Sequence, residues 1–105
     1  ALARVKRLYR FPWGELSFEG NDLRAPGGLV ALTPHESRIL QMLLRARGAT
    51  VPRLALAWST GKALSGDQSR AIDAHISALR RKLRTAVRGA GRIIVSVRGQ
   101  GYLVP

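Results

Sequence analysis

Four large aliphatic side chains, Ile72, Ile76, Leu79 and Leu83, recur at intervals of four, three and four. That spacing places all four on one stripe of an α-helix and cannot lie on one face of a strand, whose faces alternate every second residue. Such a helix is stable only if its stripe is buried, so the rest of the chain must supply a core for it. The opposite face carries Arg70, Ala74, Ser77 and Arg81, with Ala78, Arg80, Lys82 and Arg84 close by. Ser65 and Gln68 have capping-box spacing, which predicts a start near Gly66, and Gly89 and Gly91 end the helix, so it spans about 66–86. The chain therefore has a long helix that is apolar on one side and small or basic on the other.

A second helix is announced by Thr33-Pro34-His35-Glu36. Thr33 suits an N-cap, Pro34 sits at N1 where its missing N–H costs nothing, and Glu36 at N3 completes a capping box. The helix that follows puts Ile39, Leu40, Leu43 and Leu44 on one face, and Gly48 stops it. A shorter helix from about Pro52 to Trp58 buries Leu54, Leu56 or both, and a polar loop follows from Ser59. Before Thr33, short apolar pieces are broken by Pro12-Trp13-Gly14, Gly20-Asn21-Asp22 and Pro26-Gly27-Gly28. Glu15 to Glu19 alternates polar and apolar, and Leu23 and Leu29 to Leu32 fit further strands, so this region reads as a small antiparallel sheet with Asn21-Asp22 as a tight turn. At the other end Arg92 to Val97 is a β run. Arg98-Gly99-Gln100-Gly101 is a glycine-bracketed turn, and Tyr102-Leu103-Val104 pairs back as the second strand of a hairpin whose tip is two residues wide.

At 105 residues the chain is one domain's worth, and its composition departs from the ordinary in one respect: eighteen Lys and Arg against six Asp and Glu, formally +12. Residues 1–52 hold eight of the basic residues and four of the acids, whereas residues 53–105 hold ten and two. A field of this sign attracts a polyanion, and the second half is where it should bind. With no cysteine there is no disulfide, thiolate metal site or thiol nucleophile. Neither histidine, His35 or His75, belongs to a metal-ligand spacing or a catalytic arrangement, and no phosphate-binding glycine loop is present. His75 reads as a packed or hydrogen-bonded histidine and His35 as a first-turn residue. No cofactor, metal or catalytic residue is expected, and no apolar run is long enough to span a bilayer.

Two helices, the second basic, followed by a hairpin describe a helix-turn-helix whose second helix fits the major groove of duplex DNA. Ala74, Ser77 and Ala78 let its backbone approach the bases, while Arg70, Arg80, Arg81 and Lys82 reach phosphates. Arg98, at the hairpin tip, is placed to probe an adjacent minor groove, whose narrow A·T-rich form favours an inserted arginine. The plainer readings are a solvated basic face, an exposed turn at Arg98, and core or rim roles for Trp58 and Tyr102.

These segments carry a family resemblance. Leu32-Thr33-Pro34-His35-Glu36 with Leu40, Leu43 and Leu44, then Arg70 to Leu83, then Val97-Arg98-Gly99-Gln100-Gly101-Tyr102 resemble, in order, three motifs of the OmpR/PhoB-type winged-helix effector domains of two-component response regulators. The likeness covers about Tyr9 to Pro105, and Ala1 to Leu8 resembles the end of a receiver domain's last helix. Residues 1–8 are accordingly read as a linker or receiver remnant and 9–105 as the winged-helix domain. The resemblance implies an α+β winged helix-turn-helix with a four-stranded N-terminal antiparallel sheet, three helices and a C-terminal hairpin wing. It implies sequence-specific binding of double-stranded DNA in the bacterial cytoplasm, under phosphorelay control by a sensor kinase acting on a receiver.

Carried over by position, recognition-helix contacts fall on Arg70, Ala74, Ser77, Ala78, Arg80 and Arg81. The wing contact falls on Arg98, and phosphate contacts on Trp58, Ser96 and Tyr102. Relatives pair head-to-tail on direct-repeat half-sites, and the 59–69 loop matches the region that touches RNA polymerase or partner subunits. The isolated domain is expected to be a monomer. Ser77 and Ala78 are shorter than the usual base readers, which implies reliance on phosphates, the wing arginine and DNA shape. Pro52 replaces the usual serine cap, so the helix after it should begin later. Two other classes remain at this point: a basic RNA-binding protein, disfavoured because the six aromatics (two each of Trp, Tyr and Phe) are largely assigned to the core rather than exposed for stacking, and a winged-helix protein-interaction module.

Overall fold

The computed structural model describes residues 8–59, 68–87 and 93–105. The expected tail over 1–7, most of the 59–69 loop with its Ser65 cap and Gly66 start, and the stop at Gly89 and Gly91 lie outside the described residues. The elements in order are β1 (Leu8–Phe11), β2 (Gly14–Glu19), β3 (Asp22–Ala25), β4 (Gly28–Val30), α1 (Pro34–Arg45), β5 (Val51–Pro52), α2 (Arg53–Ser59), α3 (Gln68–Ala86), β6 (Val95–Val97) and β7 (Gly101–Leu103).

The first four strands form an antiparallel sheet in sequence order. Glu19 pairs with Asp22, so the β2–β3 turn is Gly20-Asn21 rather than the expected Asn21-Asp22. The left-handed φ of 62° at Gly20 explains the shift, because glycine adopts it without a Cβ clash. Period-two alternation turns Leu16 and Leu23 fully inward, while Arg10–Glu15 and Arg24–Glu19 ion pairs at 3.2 and 2.9 Å decorate the sheet outside the core. The sheet takes in Leu8, one residue ahead of the expected boundary at Tyr9.

The α1 capping box is complete. Thr33 Oγ1 accepts from the Glu36 amide at 3.1 Å, and Glu36 Oε1 accepts from the Thr33 amide at 3.0 Å. Ile39, Leu40, Leu43 and Leu44 are buried as the periodicity requires. The helix ends at Arg45 with Ala46 as C-cap, and Gly48, at φ 88°, donates its N–H to the Val104 carbonyl at 2.7 Å. Helix α2 starts at Arg53, one residue past Pro52, and buries Leu56 while Leu54 stays 59% exposed. On α3 the predicted seam is buried without exception, packing against α1, α2 and the first sheet.

The C-terminal hairpin differs from expectation in two ways. Among the described residues of the expected run, Val95–Val97 are strand, while Ile93 and Ile94 enter the core ahead of it. Val97 pairs with Gly101, so the tip is a three-residue loop of Arg98, Gly99 and Gln100, wider than the two-residue turn expected. A third strand, β5, joins on the other side of β7, with Val51 opposite Tyr102. Two residues are too few to announce a strand locally. At Gly101 an added Cβ would strike the Val51 carbonyl, so glycine is what lets β5 approach. Arg47 ties the two sheets: its guanidinium donates to the Pro105 carbonyl at 2.9 Å and the Arg10 carbonyl at 2.6 Å and lies over the Phe11 ring.

Candidate nucleic-acid interface

The seam fixes how α3 rolls, and the roll fixes what it shows to solvent. Arg70, Ala74, Ser77, Arg81 and Arg84 are all exposed, at spacings of four, three, four and three, and form one straight stripe along the helix. Two small residues lie between the arginines, so the centre of the stripe is low and its ends are cationic. Ala78 lies at the flank of the stripe and is half-buried. Arg98 is exposed on the hairpin loop, and Gly99 beside it holds the left-handed φ of 73° that the three-residue turn needs.

Four of the expected contact residues, Arg80, Ser96, Lys82 and Tyr102, also make hydrogen bonds within the fold. Arg80 is half-buried and donates from Nε and Nη2 to the Ile94 carbonyl at 3.2 and 3.0 Å, and from Nη2 to Ser96 Oγ at 2.8 Å. Its fork thus fastens the root of the hairpin to α3. In the same bond the Ser96 hydroxyl oxygen accepts, which leaves its O–H able to donate. Lys82 turns away from the stripe and places Nζ 2.6 Å from Glu36 Oε1 on α1. Tyr102 is 6% exposed, and its hydroxyl donates to Asp73 Oδ1 at 2.5 Å. Burial, and then the hydrogen bond and charge of Asp73, push the Tyr102 phenol above its usual value, with Arg53 partly offsetting them. The phenol therefore stays protonated and serves as a donor. Arg53 Nε also pairs with Asp73 Oδ1 at 3.1 Å, so one carboxylate joins α2, α3 and β7.

A core role for Trp58 is corrected: it is 63% exposed, four residues beyond exposed Leu54 on the same side of α2. Sequence reasoning missed Arg53, whose position at the start of α2 beside the hairpin depends on the β5–β7 pairing. It also missed that His35 and His75 meet, with ring centroids 5.2 Å apart.

Glu36, 4% exposed, is the carboxylate through which α1 pairs with Lys82 of α3. Burial disfavours its charge, but the hydrogen bond from Lys82, the Thr33 amide and the charges of Lys82 and His75 outweigh that and hold its pKa below the usual value. Among the described residues no buried side-chain nitrogen or oxygen lacks a partner, and no group of three or more His, Cys, Asp and Glu is placed to hold a metal ion. None of the described helices is long and apolar enough to cross a membrane.

A capped α1, a short α2, an exposed basic stripe on α3 and a hairpin beside it form a winged helix-turn-helix, and residues 27–104 match the family described as transcriptional regulatory protein, C terminal. The chain belongs to this family. Over 82 residues, 77% of this chain, it is 40% identical to the atypical response regulator protein ChxR of Chlamydia trachomatis. It spans about a third of the length of such curated relatives. Among solved structures it resembles the DNA-binding domain of CpxR from E. coli, with a TM-score of 0.76 and 30% identity over 93% of this chain and 95% of that one. It also resembles the Klebsiella pneumoniae RstA DNA-binding domain in complex with the RstA box, with a TM-score of 0.70 and 27% identity over 90% and 94% of the two chains. The α+β winged helix expected from sequence is thus the fold of the family.

Proposed function

We propose that this chain binds double-stranded DNA sequence-specifically to regulate transcription, as the C-terminal effector domain of a two-component response regulator in the bacterial cytoplasm. The exposed Arg70–Ala74–Ser77–Arg81–Arg84 stripe, with Arg98 exposed on the hairpin that Arg80 fastens to α3, carries the reading. Its low centre suits close approach to base edges in the major groove, and its cationic ends suit the phosphates on either side. Ser77 offers one short hydroxyl and Ala74 a methyl for thymine, so direct readout is sparse, and Arg98 in the minor groove adds a preference for narrow A·T-rich flanks.

Arg80, Lys82 and Tyr102 act by orienting α3 and the hairpin rather than by touching phosphate. Exposed Trp58 and Arg53 flank the phosphates from α2. No step of covalent chemistry is required, and the domain is not an enzyme. On DNA this domain pairs head-to-tail on direct-repeat half-sites while remaining a monomer in free solution. A phosphorylated receiver, itself the target of a sensor kinase, raises the occupancy of the paired state, and residues 59–69 meet RNA polymerase.

Selection of this chain against a random duplex pool, with sequencing and a salt titration, tests the proposal. Enrichment of a repeated half-site, with affinity falling steeply as salt rises, supports it. Steep salt dependence with no enriched sequence would limit the domain to shape and charge, and absence of binding at low salt would transfer the case to a protein-interaction role.

A further inference from the structure

We propose that His35 and His75 form a binding site for a borderline divalent transition-metal ion, of the Zn²⁺ or Ni²⁺ class, that clips α1 to α3. The two imidazoles come from different helices, yet their ring centroids lie 5.2 Å apart with the planes inclined at 52°. A zinc–nitrogen bond is about 2.0–2.1 Å, which sets an imidazole centre about 3.2 Å from the ion; two such rings at a tetrahedral angle are about 5.2 Å apart. The observed separation equals that figure. Imidazole is the preferred protein ligand for this class of ion, and two rings leave the remaining positions to water. Both side chains are only half-buried, so water reaches the site.

Glu36 follows His35 in the chain, and its carboxylate lies 2.6 Å from the Lys82 ammonium, so the two charges beside the site offset one another. A bound ion would fix His75 against α1, and His75 adjoins Ala74 and is two positions from Ser77 on the exposed stripe. The site is independent of any DNA-binding role of the stripe, so the failure of one proposal would leave the other intact.

The test is calorimetric titration of the tag-free 105-residue chain with zinc chloride or nickel chloride in a non-chelating buffer near neutral pH, alongside His35→Gln and His75→Gln. The expected result is saturable binding of one ion per chain in the micromolar range, with affinity reduced at least about tenfold in each variant, since each retains one of two protein ligands. The ion should raise the thermal midpoint of the unsubstituted chain and leave that of the variants unchanged. Because His75→Gln can disturb packing, nitrogen NMR of the unsubstituted chain provides the second readout: both imidazoles should shift together and saturate at one equivalent. Binding that persists in His35→Gln, shifts confined to one ring, or no saturable binding overturns the proposal.

Discussion

Replacing Glu36 with alanine is the sharpest test of how the domain is held together. The carboxylate has two separate duties on one oxygen: Oε1 accepts from the Thr33 amide at 3.0 Å and from Lys82 Nζ at 2.6 Å. Removing it opens the reciprocal half of the capping box, for which losses of about 1 kcal/mol are typical. It also strands the Lys82 ammonium. Breaking a fully buried pair costs about 3–5 kcal/mol, but Lys82 is 34% exposed and can turn to water, which lowers its share to roughly 1–2 kcal/mol. The expected total is about 2–3 kcal/mol, a midpoint fall of roughly 8–20 °C for a domain of this size.

Urea denaturation followed by circular dichroism measures the loss, and a Glu36→Gln, Lys82→Met double-mutant cycle isolates the pair, with an expected coupling of about 1 kcal/mol or more. The pH dependence follows from the lowered pKa: stability from this group is fully present above the usual carboxylate value and is lost as pH falls through the depressed folded value. A loss under about 0.5 kcal/mol, or additive single substitutions, would refute the reasoning.

Other substitutions separate contact from support. Arg81→Ala should weaken binding to all duplexes alike and lower the salt slope by roughly one, as measured by fluorescence anisotropy across salt concentrations. Arg98→Ala should reduce the preference for A·T-rich flanks, and an equal loss on G·C-rich flanks would remove the minor-groove role. Arg80→Met should behave differently from Arg81→Ala, destabilising the fold by about 1–3 kcal/mol through the lost bonds to Ile94 and Ser96; unchanged stability with weakened binding would return Arg80 to the contact surface. Gly101→Ala should destabilise by about 2 kcal/mol or more, because its Cβ meets the Val51 carbonyl and its φ is 154°, and loss of amide protection at β5 and β7 by hydrogen exchange would localise the damage.

The sequence by itself determined the elements whose signals lie within a few residues. The Thr33–Glu36 box spans one helical turn, and the Ile72–Leu83 seam repeats over three; both formed as read because capping and amphipathic burial depend on local spacing. The stripe of Arg70, Ala74, Ser77 and Arg81 was legible for the same reason, since burying a seam leaves one possible outward face. Turn geometry was less so: Gly20 and Gly99 set positive φ values that moved the β2–β3 turn and widened the hairpin tip.

Only the tertiary structure decided which basic residues remain outside. Lys82 finds Glu36 across 46 positions, Arg80 finds Ile94 across 14, and Tyr102 finds Asp73 across 29. Such pairings depend on how α3 is set against α1 and the hairpin, and no local pattern records that setting. The strand at Val51–Pro52 and the meeting of His35 with His75 have the same origin. Charge counting finds a polyanion-seeking domain; the packing selects which cations can face the polyanion and which are used to hold the fold.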